Sequence, residues 1–215
     1  MGGVELGPLA QRRLVGVGAL LALLATVVGA TAGGRGDASG MVAARASSTA
    51  SSVEFAHLTD LGAADALTKS HLTTRGFASV EASPVSSYCA EAVAAWHGAG
   101  DYRAPTGFLT THSPHDQNRC NGVPVAITFA MPAQDVTISF WGAALPYQLT
   151  AFDAQNNVIA TAEACGRPYD YDDTFTISVH ATGPQIARVV FGREKALTMI
   201  RSVTFVASPL GHAGV

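Results

Sequence analysis

Two short polar clusters contain the side chains best suited to chemistry. The first consists of Tyr169, Asp170, Tyr171, Asp172 and Asp173. Carboxylate oxygens are the ligands that Ca²⁺ prefers. Tyrosine rings beside carboxylates also suit a sugar, because apolar sugar faces stack on aromatic rings while acids accept hydroxyl hydrogen bonds. The sequence therefore predicts Asp170, Asp172 and Asp173 as candidate calcium ligands, with an exposed acidic loop as the alternative.

Aromatic side chains extend this candidate binding surface. Trp141 directly follows Phe140 in a predicted strand, so it points to the opposite, outer face. We predict that Trp141, Tyr169 and Tyr171 form a ligand-binding platform. Aromatic residues more often lie in a core than on a platform, and burial is the alternative for each of them.

The second cluster is the loop that contains His112, Ser113, His115 and Asp116. The two histidines and the aspartate, with Cys120 nearby, are candidate zinc ligands, which need three or four donors converging at about 2.0–2.3 Å. Ser, His and Asp together also permit a hydrolytic triad, but the chain has no Gly-x-Ser-x-Gly turn. A solvated loop is the favoured interpretation, so we assign no catalytic residue.

The chain has three cysteines, Cys89, Cys120 and Cys165. In an oxidising compartment two of them pair and one is left over. We favour Cys89–Cys120, because closing a loop of about 30 residues stabilises a fold by about 3–4 kcal/mol. Cys120–Cys165 is the alternative, since both residues lie near the ends of predicted strands.

Residues 1–32 have the pattern of an export signal. Arg12 and Arg13 precede an uncharged apolar run at 14–28, and the small residues at 30–32 fit a cleavage site. Fifteen helical residues span about 22 Å, short of the roughly 30 Å of a bilayer core. We therefore predict a secreted, extracellular protein with no stable membrane span after cleavage. An uncleaved signal anchor is the alternative.

Composition narrows the remaining classes. Charged residues make up 13% of the chain, the net charge is −3 and the mean hydropathy is +0.24. These values exclude a highly charged disordered tail and predict no basic surface for nucleic acid. Residues 33–52 are rich in Gly, Ala and Ser and predict a disordered linker. One domain is expected at 53–208, followed by a tail at 209–215.

Alternating apolar and polar residues predict an all-β domain, an antiparallel sandwich with a jelly-roll-like order. The predicted strands lie at 53–58, 76–82, 125–131, 136–140, 147–152, 158–162, 174–180, 186–191 and 202–206. Pro132 is expected to end one strand, and Asp153 to Asn157 to form a hairpin turn. Residues 88–97 are predicted as two helical turns or a loop, and residues 98–122 as a long loop.

The strand pattern over residues 53–207 resembles that of secreted bacterial jelly-roll or galactose-binding-like sandwich domains. The hairpin at 149–158 and the last strand at 200–205 carry much of the resemblance. Some such domains hold a structural Ca²⁺ near acidic residues after the first strand and before the last. The corresponding places here carry Ala56, His57 and Arg201, so the resemblance does not extend to that site.

These observations favour a secreted, non-enzymatic binding domain whose partner is a carbohydrate or a component of the cell surface. One alternative is a small secreted hydrolase that uses the loop from His112 to Asp116. The other is a purely structural or adhesive surface domain. The resemblance alone does not decide, because sandwich domains host many functions.

Overall fold

The computed structural model describes residues 49–55, 69–167, 173–183 and 185–207. Their elements, in chain order, are β1 (Thr49–Glu54), α1 (Lys69–Thr73), β2 (Phe77–Ala82), β3 (Val93–His97), a 3₁₀ turn (Asp101–Arg103), β4 (Phe108–His112), β5 (Val125–Phe152), β6 (Val158–Arg167), β7 (Phe175–His180), β8 (Ile186–Gly192) and β9 (Thr198–Ala207). The predicted signal at 1–32 and the predicted tail at 209–215 lie outside the described residues.

The long strand β5 builds both layers of an antiparallel sandwich. Its two ends pair with β8 in the first layer, where β2 and β6 flank them. Its middle part pairs with β7 on one side and β9 on the other in the second layer. Strand β9 also pairs with β1 and, at one position, with β4, which pairs with β3. The predicted all-β sandwich is therefore confirmed.

The core lies between the two layers. Ile127 and Leu149 point inward from the first layer, and Ile138 and Val203 from the second, and all four are fully buried in one cluster. Each such side chain contributes about 1.5–3 kcal/mol relative to leaving it exposed. The alternation of apolar and polar residues in the sequence arises because each layer packs one face on the core and turns the other face outward.

The path of β5 corrects two predictions. Pro132 does not end the strand, and Met131, expected on the inner face, is 48% exposed. The register with β8 shifts between Thr128 and Ala133, where the chain passes from the first layer to the second. Such an irregularity tolerates proline, which has no N–H to donate to the ladder, and it breaks the two-residue alternation.

Strand β5 returns to the first layer at Gly142, where its backbone lies close to the Tyr147 side chain. A Cβ atom there would lie 2.5 Å from the Tyr147 hydroxyl, so only glycine fits. The buried Tyr147 hydroxyl accepts a hydrogen bond from the Ala143 N–H (2.8 Å) and donates one to the Leu197 carbonyl (2.7 Å). Burial raises the pKa of Tyr147. This side chain therefore holds the turn of β5 against the start of β9.

The segment from 88 to 122 differs most from its prediction. Residues 93–97 form β3 rather than helical turns, and the predicted long loop contains β4. All five residues of β4 are buried, because its neighbours cover both of its faces. Such a strand lacks alternation and is hard to recognise. The small side chains of Ala94 and Ala95 are buried in β3, so pairing with β4 prevails over helical propensity.

The cysteine pairing is confirmed. Cys89 and Cys120 form a disulfide with a Cα–Cα distance of 5.4 Å, and Cys165 is a free, exposed thiol on β6. The linker prediction is wrong for residues 49–52, which pair with β9 as part of β1. The rest of the predicted linker lies outside the described residues. No helix in the described ranges is long and apolar enough to cross a bilayer.

The predicted hairpin turn between β5 and β6 is confirmed. Asp153 closes it, because its Oδ1 accepts hydrogen bonds from the N–H groups of Gln155 (2.9 Å) and Asn157 (2.8 Å). Its Oδ2 accepts a bond from the Asn157 side-chain amide (2.9 Å). Asn156 adopts the left-handed conformation, with φ of 67°, which asparagine tolerates better than most residues.

We expect this turn to loosen only in strong acid. Hydrogen bonds from the Asn157 side chain and backbone lower the pKa of Asp153 below its ordinary 3.8. The stabilisation is therefore complete above that value and is lost as the pH falls through the lowered pKa. An NMR titration of the Asp153 carboxyl should give a midpoint below 3.8, and Asn157→Ala should raise it. A midpoint at or above 3.8 in the unmodified chain would contradict this expectation.

Candidate functional site

The outer face of the second layer is rich in hydroxyl groups. Strand pairing aligns residues of β1, β9, β5 and β7 in rows across this face. The outward hydroxyl side chains are Ser52, Thr137, Ser139, Thr176, Ser178, Ser202 and Thr204. Some bond to one another, as Ser52 does to Thr204 (3.1 Å) and Thr137 to Ser178 (2.8 Å). We call this set the hydroxyl face.

A small polar cavity of about 150 Å³ lies in this face. It is lined by Glu54, Ser139, Thr174, Arg201 and Ser202. The cavity offers a carboxylate as acceptor, a guanidinium as donor, and three hydroxyls that both donate and accept. This mixture suits a ligand that carries several hydroxyl groups at fixed spacing.

A bulge in β9 brings Arg201 to this cavity. Ser139 pairs with Ser202, but the next residue of β5, Phe140, pairs with Ile200, so Arg201 is the extra residue of β9. A bulge of this kind redirects a side chain and is common beside functional sites. The sequence alone gave no sign of the shift, since 200–205 reads as regular strand.

The guanidinium of Arg201 is held on two sides. Its Nη1 donates a hydrogen bond to Thr174 Oγ1 (2.7 Å), and its Cζ lies 5.1 Å from the centre of the Trp141 ring. Its Nε is buried and has no hydrogen-bond partner among the described residues. A buried donor without a partner is uncommon. Arg201 is therefore fixed in place with hydrogen-bonding capacity to spare.

The structure corrects the prediction for Trp141. Its side chain points to the outer face as expected, but it is only 2% exposed and packs with Ala104, Phe108 and Met199. Strand β4 and the turn after β3 bury it, and both come from the segment predicted as helix or loop. The buried Trp141 ring therefore packs against the Arg201 guanidinium and is not exposed for a ligand to stack on.

The predicted acidic cluster is mostly beyond the described ranges. Tyr169, Asp170, Tyr171 and Asp172 lie outside the described residues, so the sugar platform and the calcium site remain predictions there. Asp173 is described and exposed. Asp173 directly precedes Thr174, which lines the cavity. The predicted acidic cluster and the observed cavity are therefore neighbours in the sequence.

The loop of the second predicted cluster is held by local turns. Ser113 Oγ accepts a bond from the His115 backbone N–H (3.3 Å), and Asp116 Oδ1 accepts one from the Asn118 N–H (3.0 Å). His115 and Asp116 are exposed. These bonds tie the side chains to backbone groups, as in a solvated loop.

The predicted zinc set is not assembled. Cys120 is oxidised in the disulfide and offers no thiolate. Within the described residues, the one group of three potential ligands that lie close together is Cys89, Glu91 and Cys120. The two sulfurs in that group are bonded to each other, so it cannot act as a set of three ligands.

His112, a candidate metal ligand from the sequence, forms a buried pair with His97, which the sequence did not single out. His97 ends β3 and His112 ends β4, and their ring centres are 5.6 Å apart. His97 also stacks on Phe108 at 5.4 Å, and burial lowers its pKa although the nearby Asp101 opposes the shift. The antiparallel register pairs His97 with Phe108 and His112 with Val93, so no local sequence pattern signalled that the two rings meet.

Comparisons with known proteins give likenesses of fold only. No family model matches the chain, and no curated protein does. A solved structure of BiXyn10A CBM1 in its apo form is similar at 8% identity with a TM-score of 0.39, over 73% of this chain and 96% of that one. TmCBM61 in complex with β-1,4-galactotriose is similar at 8% identity and a TM-score of 0.34, over 66% and 93%.

A third similar structure is the K2 cleaved adhesin domain of Lys-gingipain, at 9% identity and a TM-score of 0.36, over 59% of this chain and 99% of that one. Several of the similar structures are thus carbohydrate-binding modules with a β-sandwich fold. At identities below 10% and TM-scores below 0.4 these likenesses assign no function to this chain.

Proposed function

We propose that this protein is a secreted, non-enzymatic carbohydrate-binding domain that takes a neutral sugar unit in the cavity of the hydroxyl face. The observation that carries the proposal is the Arg201 guanidinium, which lines the cavity and is held in place against Trp141 and Thr174. Sugar hydroxyls in the cavity would accept hydrogen bonds from the N–H groups of this guanidinium that line it. The protein would therefore work by recognition, with no bond made or broken.

The other groups of the cavity explain why a neutral sugar is favoured. Glu54 lines the same cavity as Arg201. Its carboxylate would repel an acidic sugar, while it accepts hydrogen bonds from sugar hydroxyls. Ser139 and Ser202 face each other across paired strands and offer two further hydroxyls. Specificity in small sites comes from such a few placed polar groups.

Secretion is part of the same proposal. A structural disulfide persists in oxidising compartments and is rare in the cytosol. The Cys89–Cys120 bond is thus the structural feature that agrees with the predicted export signal at 1–32. Sequencing the N-terminus of the exported protein tests this part, and a protein that begins near residue 33 is the expected result.

A glycan array followed by titration calorimetry tests the binding. We expect Arg201→Ala to weaken the affinity for the best glycan at least about tenfold, since a charge-assisted hydrogen bond contributes about 1.5–3 kcal/mol. Arg188→Ala is the matched control, because Arg188 also stacks on an aromatic ring, that of Phe152, at 4.5 Å in the other layer. Its affinity should be unchanged.

Two outcomes would contradict the proposal. If no glycan on the array binds, the carbohydrate function is wrong and the structural or adhesive alternative is favoured. If a glycan binds equally well to the parent chain and to Arg201→Ala, the site lies elsewhere. In that case Tyr169→Ala and Tyr171→Ala test whether the predicted aromatic platform is the binding surface.

A further inference from the structure

The buried histidine pair has unused nitrogen atoms. His97 is 1% exposed and His112 is 6% exposed. Nε2 of each ring is buried and has no hydrogen-bond partner among the residues that the structure describes. Buried polar atoms are nearly always paired. Because the two rings are only 5.6 Å apart, a single species bound between them would pair both nitrogen atoms.

The partners of the other ring nitrogens decide what the Nε2 atoms offer. Nδ1 of His97 lies 3.3 Å from Asp101 Oδ2, and Nδ1 of His112 lies 2.6 Å from the Ser113 carbonyl oxygen. Both oxygens accept hydrogen bonds, so each Nδ1 carries the proton and donates it. In a neutral ring the Nε2 atom then presents a bare lone pair. The pair thus offers two acceptors and no donor.

We propose that His97 and His112 bind one divalent transition-metal ion of the Zn²⁺ type through their Nε2 atoms. Metal-binding histidines commonly donate the other ring N–H to a carboxylate or a backbone carbonyl, and these are the two partners found here. Imidazole nitrogen suits Zn²⁺, Cu²⁺ and Ni²⁺, whereas Ca²⁺ and Mg²⁺ prefer oxygen.

The ring separation agrees with a shared ion. With metal–nitrogen bonds of about 2.0 Å and a tetrahedral to trigonal angle at the ion, two imidazole centres lie about 5.2–5.5 Å apart. The centres of His97 and His112 are 5.6 Å apart, and the ring planes are at 88°.

The protein supplies only these two ligands in the part of the chain that the structure describes. No third His, Cys, Asp or Glu there completes a set with them. Two protein nitrogens are fewer than the three or four donors of a usual zinc site, so the remaining positions of the ion would need water or an added ligand that enters with it. Its first effect would be to join the end of β3 to the end of β4, and so to secure the strands that cover Trp141. This inference is independent of the proposed function.

Titration with ZnCl₂ tests the site in the untagged chain carrying Cys165→Ser, which removes the exposed free thiol as a competing ligand. We expect one equivalent to bind and the melting temperature to rise by at least about 3 °C at saturation. His97→Gln and His112→Gln should each weaken binding at least about tenfold. His115→Gln, at an exposed position on the neighbouring loop, is the matched control and should bind as the parent does.

A second measurement covers the case in which a histidine variant fails to fold. In the chain with both histidines present, Zn²⁺ should shift the imidazole ¹⁵N resonances of two buried histidines. Absence of binding at millimolar Zn²⁺ would overturn the proposal and leave a water molecule or an empty contact between the rings. Shifts confined to exposed histidines, or binding that is unchanged in both glutamine variants, would also overturn it.

Discussion

Replacing Cys89 and Cys120 with serine is expected to lower the free energy of unfolding by about 3–4 kcal/mol. The bond joins residues 31 positions apart, and the unfolded chain gains the freedom of that loop when the bond is absent. The enclosed segment includes β3 and β4, and the third cysteine, Cys165, is free, so this is the disulfide that links the segment to itself at its two ends. A domain stable by about 5–15 kcal/mol loses a large part of its margin.

Urea unfolding of the double variant measures this effect. The parent chain in the presence of a reductant should show the same loss, since both treatments remove the same bond. Cys165→Ser is the control, because that thiol is free and exposed, and its midpoint should match the parent. Equal stability of the parent and the double variant would show that the unfolded chain is already restrained over this loop, or that the native bond is strained.

Trp141→Ala is expected to have an effect of similar size on stability and a second effect on binding. The side chain is almost wholly buried, and truncating such a residue costs about 3–5 kcal/mol. It also removes the ring over which Arg201 is held. The proposed glycan affinity should therefore fall, although Trp141 itself does not reach the ligand.

Trp141→Phe separates the two effects. The smaller ring keeps much of the apolar contact with Phe108 and Met199, so most of the stability should remain while the position of the guanidinium becomes less defined. Trp96→Phe is the matched control: Trp96 is buried and donates a hydrogen bond to the Phe55 carbonyl (2.8 Å), so its loss should affect stability but not affinity. Full affinity in Trp141→Phe would show that the indole ring itself is not required to position Arg201.

The features that were predicted correctly are those with local causes. The strands around Ile138 and Ile177 alternate because one face of each lies on the core. The turn at Asp153 follows from a side chain that bonds to N–H groups two and four residues ahead. The disulfide was favoured because loop closure and compartment chemistry depend on sequence separation and on cysteine count, which are visible without a fold.

The predictions that were wrong concern segments whose structure depends on contacts with residues far away in the sequence. The segment that became β3 and β4 has no alternation, because the core covers one face and the Trp141 cluster involves the other. Met131 and Pro132 were misplaced because β5 changes partners at that point. In each case the deciding contact comes from residues far away in sequence, which a local pattern does not encode.

The candidate sites divide in the same way. By itself the sequence determined that the chain has an all-β domain of alternating strands, a single favoured disulfide and a low content of charged residues. Only the tertiary structure decided that Trp141 is buried, that a bulge brings Arg201 into a polar cavity, and that His97 and His112 meet. The physical reason is that these arrangements depend on strand register and on the layer that covers each face, and long-range pairing sets both.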